Sequence, residues 1–179
     1  MLLNQARKIQ RSSFKPKVVI VITRGGWIPA RVLSDFLGVY DLAITEVKFY
    51  LGVAITRDEP FLTWDVPAIV AGKKTFLADD IADTGKSLPL ALDYLEQRDV
   101  SEVRTATVYR KPLSVITPDC CEKIARFWAV FPWDTKVTIR KILKKNVRVN
   151  VNAGKLEKAG LPKQLVREVL KEMFEDENC

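Results

Sequence analysis

Thr75-Phe76-Leu77-Ala78-Asp79-Asp80-Ile81-Ala82-Asp83-Thr84-Gly85-Lys86-Ser87-Leu88 is the stretch that decides how this chain folds. Thr75 to Ala78 are apolar or β-compatible, and from Leu88 onward apolar side chains recur at Leu88, Leu92 and Leu95, the spacing of one helical face. Strand, loop and helix are therefore written in order. The first N–H groups of such a helix lack partners within it and carry the positive end of its dipole, which favours an anion there. Gly85 lets the backbone approach closely, Thr84 and Ser87 add hydroxyl donors, and Lys86 adds a charge, so the turn suits a phosphate. Asp79 and Asp80 sit where a strand leaves its core. Two like charges about 5 Å apart repel by about 3 kcal/mol at an effective dielectric near 20. Sugar hydroxyls or a magnesium ion would offset that cost.

Two other readings compete. A nucleotide-triphosphate loop needs G-x-x-x-x-G-K-[ST], and Gly85-Lys86-Ser87 supplies its end, but the required first glycine is Asp80. A carboxylate there would face the phosphates, which excludes an ATPase or GTPase of that kind. The other reading is an ordinary strand-to-helix turn capped by Asp83 or Thr84. The paired acids weigh against it.

A second strand, Lys17 to Thr23 (KVVIVIT), is apolar on both faces, as in a parallel sheet. Arg24-Gly25-Gly26 follows, and then a helix to Gly38, with Pro29 in its first turn and Ile28, Val32, Leu33, Phe36 and Leu37 as its expected buried face. Taken alone, Arg24-Gly25-Gly26 reads as a flexible turn. A third strand, Val103 to Arg110, ends in Arg110-Lys111-Pro112, and Ala125 to Phe131 leads into Pro132-Trp133-Asp134.

Together these elements resemble the type I phosphoribosyltransferases, whose signature is a hydrophobic strand, two acids, a short spacer and D-T-G-[KT]-[ST]; the resemblance covers roughly Ala6 to Asp134. It is strongest to the bacterial and archaeal xanthine-guanine and hypoxanthine enzymes of purine salvage. The resemblance implies a Mg²⁺-dependent pentosyltransferase that moves a phosphoribosyl group from phosphoribosyl diphosphate (PRPP) to a 6-oxopurine. Magnesium pyrophosphate would leave the ribose C1, an oxocarbenium-like centre would form, and the purine nitrogen would attack with inversion. Asp79 and Asp80 would hold the ribose hydroxyls and the metal, and Asp83, Thr84, Gly85, Lys86 and Ser87 the 5′-phosphate, with Asp83 as the catalytic proton acceptor. Thr23, Arg24, Gly25 and Gly26 match the pyrophosphate loop, with a non-proline cis peptide expected between Arg24 and Gly25. By the same match Lys111 donates to the purine 6-oxygen and Trp128 stacks on the ring, whereas Trp133 reads as a core aromatic. The family lid, usually introduced by Ser-Tyr, corresponds to residues 51–64 after Phe49-Tyr50, so the first position departs from the pattern.

Composition fits this picture. The 179 residues, 47% of them hydrophobic, match one domain with a sizeable core. No apolar run approaches the roughly 20 residues that span a membrane, and MLLNQARKIQR lacks a secretory hydrophobic region. Cys120, Cys121 and Cys179 are too few and too awkwardly spaced for a disulfide framework or zinc site, which suggests a reducing cytoplasm. There is no histidine. Proton transfer and metal binding are left to carboxylates and other oxygens. A net charge of +7, with the basic run 136–148, admits a nucleic-acid reading, but no recognition motif accompanies it and a polyanionic substrate gains from the same field.

The expected fold is α/β, a type I phosphoribosyltransferase fold with a central, mostly parallel sheet flanked by helices and a small hood. Its domain would span 1–150, with 151–179 a helical extension packed on it; Leu161, Leu165, Val166, Val169, Leu170, Met173 and Phe174 form that helix's apolar stripe after Pro162. The expected partners are PRPP, a purine base and further copies of the chain in a homodimer or larger oligomer. A PRPP- or nucleotide-sensing regulator on the same fold, acting on RNA or a repressor, is the alternative; intact Asp83 and the pyrophosphate loop argue against it.

Overall fold

The computed structural model describes residues 1–49, 60–145 and 153–176, and the chain forms two compact units, Met1–Phe127 and Trp128–Cys179. The first holds a six-stranded sheet in the order β3-β2-β1-β4-β5-β6. Its strands are β1 (Val18–Thr23), β2 (Leu42–Phe49), β3 (Pro60–Trp64), β4 (Lys74–Ala82), β5 (Glu102–Arg110) and β6 (Cys120–Ile124). All neighbours are parallel except β3, which runs antiparallel to β2. Helices α1 (Leu2–Arg11), α2 (Trp27–Leu37) and α3 (Ser87–Glu96) flank it.

Alternation along the strands explains why the central ones are apolar throughout. All six residues of β1 are buried. Val19 and Val21 join Phe76, Ala78 and the α1 and α2 residues Ile9, Ala30 and Leu33 in one core layer. Val18, Ile20 and Ile22 join Leu77 and the α3 residues Leu88, Ala91 and Leu95 in the other. The expected α3 stripe holds, with Leu92 at its half-buried margin.

Three local expectations shift. On α2 the buried side is Pro29, Ala30, Leu33 and Ser34; Ile28 and Phe36 are 43% and 42% exposed. The small Ala30 and Ser34 let this helix approach the sheet, Leu33 is buried as expected, and Ile28 and Phe36 turn outward. β4 runs on through Asp79 and Asp80 to Ala82, because β5 continues beside it, pairing Asp79 with Thr107 and Ala82 with Arg110. The strand before Trp128 is Cys120–Ile124, whose register with β5 ends at Arg110↔Ile124. Residues 60–64, expected within an irregular lid, form β3, whose Phe61 and Leu62 face Lys48 and Val47 across the ladder. Tyr50 and residues 51–59 lie outside the described residues.

The second unit contains α4 (Thr135–Lys145), α5 (Ala153–Lys158) and α6 (Lys163–Asp176). Val166 and Val169 are fully buried against Ile139, Leu143 and Leu156, with Leu161, Leu165, Leu170 and Met173 at the margin of that core; the Phe174 side chain is outside the description. The unit starts at Trp128, upstream of the boundary expected near 150, because α4 shares its core with α6. Part of the basic run is neutralised there: Lys136 and Arg140 both pair with Glu172 at 2.7 Å, holding its carboxyl below the usual range.

Candidate active site

The strand order places a switch point between β1 and β4, from which the chain builds outward in both directions. In open α/β sheets the loops leaving the carboxyl ends of two such strands diverge and open a crevice suited to ligands. The two loops here are Arg24-Gly25-Gly26 and Asp83–Ser87.

The first loop turns back at once. Gly26 N–H donates to Ile22 O at 2.9 Å and Trp27 N–H to Arg24 O at 3.3 Å. The cis peptide lies between Thr23 and Arg24, one bond before the expected position. The reversal begins as soon as β1 ends, so the irregular bond falls at its first step. Thr23 is buried, with its hydroxyl donating to Thr45 O at 3.3 Å, whereas Arg24 is exposed. Both glycines press on β4. A methyl group on Gly25 would collide with the Asp80 carboxylate, and one on Gly26 would collide with Ala78 O and lie 2.6 Å from Ile22 O and 3.2 Å from Asp79 Cα.

The adjacent acids on β4 have different surroundings. Asp80 lies against Gly25, whereas Asp79 lines a cavity of about 280 Å³ with Asp83, Thr84, Gly85 and Ser87. Burial, and then the neighbouring Asp80 charge, push the Asp79 carboxyl well above its usual value. Desolvation is the larger cause, and the mutual repulsion legible in the paired acids comes second. Asp79 Oδ1 also accepts the Asp80 N–H at 2.8 Å.

The second loop is open at its mouth. Asp83, Thr84 and Lys86 are exposed while Gly85 is buried with φ +77°, a conformation that glycine adopts without strain. No side-chain hydrogen bond caps α3, whose N-cap is Lys86. Thr84 Oγ1 instead accepts the Lys86 N–H at 3.4 Å.

Lys111 follows β5, and its ammonium donates to Phe127 O at 2.5 Å. Trp128 is the first residue of the second unit and is 65% exposed. Trp133 stacks on Phe131 with ring centroids 4.9 Å apart but is 38% exposed, a surface aromatic where a core one was expected. The sequence reading missed the connection after Lys111: Val115 N–H donates to Thr84 O at 2.9 Å, and Lys111 N–H to Ala82 O at 2.9 Å. Such backbone contacts leave no residue-type signal. A larger cavity of about 520 Å³ lies beside residues 14–17 and 37–41, which precede β1 and β2. It is at the other end of these strands and contains none of the expected site residues.

A parallel sheet with a glycine turn, two acids and an uncapped phosphate-type turn at its switch point defines a phosphoribosyl transferase domain. The chain belongs to that family, whose description is Phosphoribosyl transferase domain and whose match spans residues 4–140. Its relatives include the xanthine-guanine phosphoribosyltransferase of Idiomarina loihiensis, 30% identical over 120 residues, 66% of this chain and 71% of the relative. The hypoxanthine-guanine phosphoribosyltransferase of Schizosaccharomyces pombe is 34% identical over 120 residues, 57% of each chain. Among solved structures, purine phosphoribosyltransferase from Pyrococcus horikoshii Ot3 aligns with a TM-score of 0.66 and 32% identity, covering 74% of this chain and 85% of that one.

Proposed function

We propose that this protein transfers the 5-phosphoribosyl group of PRPP to a 6-oxopurine, releasing pyrophosphate and a nucleoside 5′-monophosphate. The observation that carries this reading is the close approach of Gly25 and Gly26 to Asp80 and Asp79, beside the uncapped turn 83–87. It supports a site with one anion-binding loop on each side of a pair of carboxyls, as a sugar phosphorylated at both ends requires. The names of the relatives support a purine as acceptor.

In this reading the exposed Thr84 and Lys86, with Gly85 and Ser87, hold the 5′-phosphate, while Arg24, Gly25 and Gly26 receive the pyrophosphate. Thr23 fixes that loop to β2 through its bond to Thr45. Asp79 and Asp80 bind the ribose hydroxyls. Asp83 takes the proton that the purine loses, Lys111 serves the 6-oxygen, and Trp128 supplies an exposed ring for stacking. Tyr50, expected at the start of the lid, lies outside the described residues.

The family implies magnesium. Among the described residues no three Asp, Glu, Cys or His side chains gather into a metal cluster, so these residues offer no all-protein cage. Asp79 and Asp80 fit the commoner magnesium arrangement, in which one or two carboxylates share the ion with phosphates and water. When bound there, the ion would neutralise charge on the departing pyrophosphate. The chain's own contribution is positioning and charge complementarity, which dominate when no side chain acts as nucleophile.

The test is purified protein with PRPP and magnesium, assayed for nucleotide with adenine, hypoxanthine, guanine, xanthine, orotate and uracil in turn. Nucleotide from the 6-oxopurines is the expected result. Turnover of orotate or uracil alone would replace the acceptor assignment, and no turnover with any base would favour the regulatory alternative.

A further inference from the structure

Residues 111–116 join the segment after β5 to the phosphate turn through several separate contacts. Lys111 N–H donates to Ala82 O at 2.9 Å, just before the turn, and Val115 N–H donates to Thr84 O at 2.9 Å, within it. Between them, Ser114 N–H donates to Lys111 O at 3.2 Å, and Ser114 Oγ donates to Ile116 O at 2.9 Å. Gly85 fits directly under this segment: a methyl group there would collide with Ser114 Oγ and lie 3.1 Å from both Val115 N and Ile116 Cγ2.

Burial does not account for the whole arrangement. Leu113 and Val115 are 91% and 71% exposed, so the middle of the segment is shaped chiefly by these polar contacts. At one end stands Lys111, whose ammonium is held by Phe127 O at 2.5 Å; at the other, Ile116 packs on the core layer to which Leu88 and Ala82 belong. A shift of the Lys111 backbone therefore bears on Ala82 and, through Ser114 and Val115, on Thr84 and Gly85.

We propose that residues 111–116 are a coupling strap: base contact at Lys111 tightens the phosphate turn, and phosphate contact in the turn orders Lys111 for the base. Ser114 and Val115 are positioning residues in this scheme, acting through Gly85 and Thr84 without touching either ligand. The proposal rests on the purine phosphoribosyltransferase reading and adds to it a reciprocal dependence of the two half-sites. Coupling of this kind must be symmetric in binding free energy. One intramolecular hydrogen bond typically contributes enough to change an affinity about 3- to 10-fold.

The test separates the half-sites. Ribose 5-phosphate, probing the turn alone, is titrated calorimetrically into the full chain with and without saturating hypoxanthine, which probes the base pocket alone. In the wild type, hypoxanthine should tighten ribose 5-phosphate about 3- to 10-fold. Ser114→Ala should bring that enhancement to nearly one, and Ser114→Thr, which keeps the hydroxyl, should restore it. Val115→Pro, which removes the N–H bonded to Thr84, should act like Ser114→Ala, and melting curves confirm that each variant is folded. If both probes bind the wild type with no mutual enhancement, or Ser114→Ala and Val115→Pro keep it in full, the strap is overturned while the proposed function stands. If neither probe binds, both fall.

Discussion

Gly26 and Asp79 touch backbone to backbone: a methyl group on the glycine would lie 3.2 Å from the aspartate Cα, and closer still to the carbonyl oxygens of Ala78 and Ile22. The loop after β1 and the acids of β4 thus form one rigid corner. The neighbouring Gly25 differs, because the atoms nearest its added methyl are those of the Asp80 carboxylate, the end of a side chain rather than backbone. Gly26→Ala should lower Tm by several degrees and remove PRPP binding. Gly25→Ala should leave Tm within about 2 °C of wild type and raise the KM for PRPP. Thermal melts with steady-state kinetics check this, and equal loss of stability in both variants would contradict the distinction.

Burial of Asp79 beside Asp80 makes a pH-dependent prediction. A carboxyl raised in the folded state favours folding most below its unfolded pKa, near 4, and that contribution is lost as pH rises through the folded value. Asparagine resembles the protonated acid and can still accept the Asp80 N–H. Asp79→Asn should therefore melt close to wild type near pH 3.5 and at progressively higher temperature than wild type toward pH 8. A Tm difference that stays constant over this range would mean that Asp79 titrates normally.

Asp83 is exposed at the mouth of the turn, in the open position that a proton acceptor for an incoming base would require. Asp83→Asn keeps the shape and removes the basicity. kcat should fall by about a hundred- to ten-thousandfold, the usual span for a positioned proton-transfer group, with much less change in PRPP affinity. Pre-steady-state rates at several pH values measure it, and a wild-type rate throughout would remove Asp83 from the chemistry.

How far these relationships could be read from sequence depends on what kind of contact makes them. Continuous apolar character in KVVIVIT and the strand-turn-helix order around Asp79 are local signals, and β1, β4, α2 and α3 appear where they point. Helix α1 carried no such motif, yet it packs with Ala6 and Ile9 buried, and Gln5 Nε2 donates to Thr107 O at 2.6 Å. On α2 the expected Leu33 is buried, but the stripe of Ile28, Val32 and Phe36 is turned from the sheet, which takes Pro29, Ala30 and Ser34 beside Leu33. The 111–116 contacts with Ala82, Thr84 and Gly85 rest on backbone atoms and on a glycine that could equally have been a free turn residue. Sequence supplied the candidate donors and acids; their mutual approach comes from the strand order.

Base choice follows from hydrogen-bond polarity at Lys111. An ammonium has three donors and no acceptor, and one of the three is already spent on Phe127 O at 2.5 Å. The remaining donors suit the 6-oxygen of hypoxanthine, guanine or xanthine. Adenine presents an amino group there, also a donor, and would leave the two facing each other. A site built around a specific hydrogen bond can reject the wrong analogue by about 10⁴- to 10⁵-fold, and a half-buried lysine such as this one should achieve less. Lys111→Met should lower kcat/KM for all three 6-oxopurines and narrow the gap to adenine, whose rate should change little. Competition assays with paired bases read the ratio directly, and wild-type preference for adenine would refute the role of Lys111 while leaving the PRPP half of the site untouched.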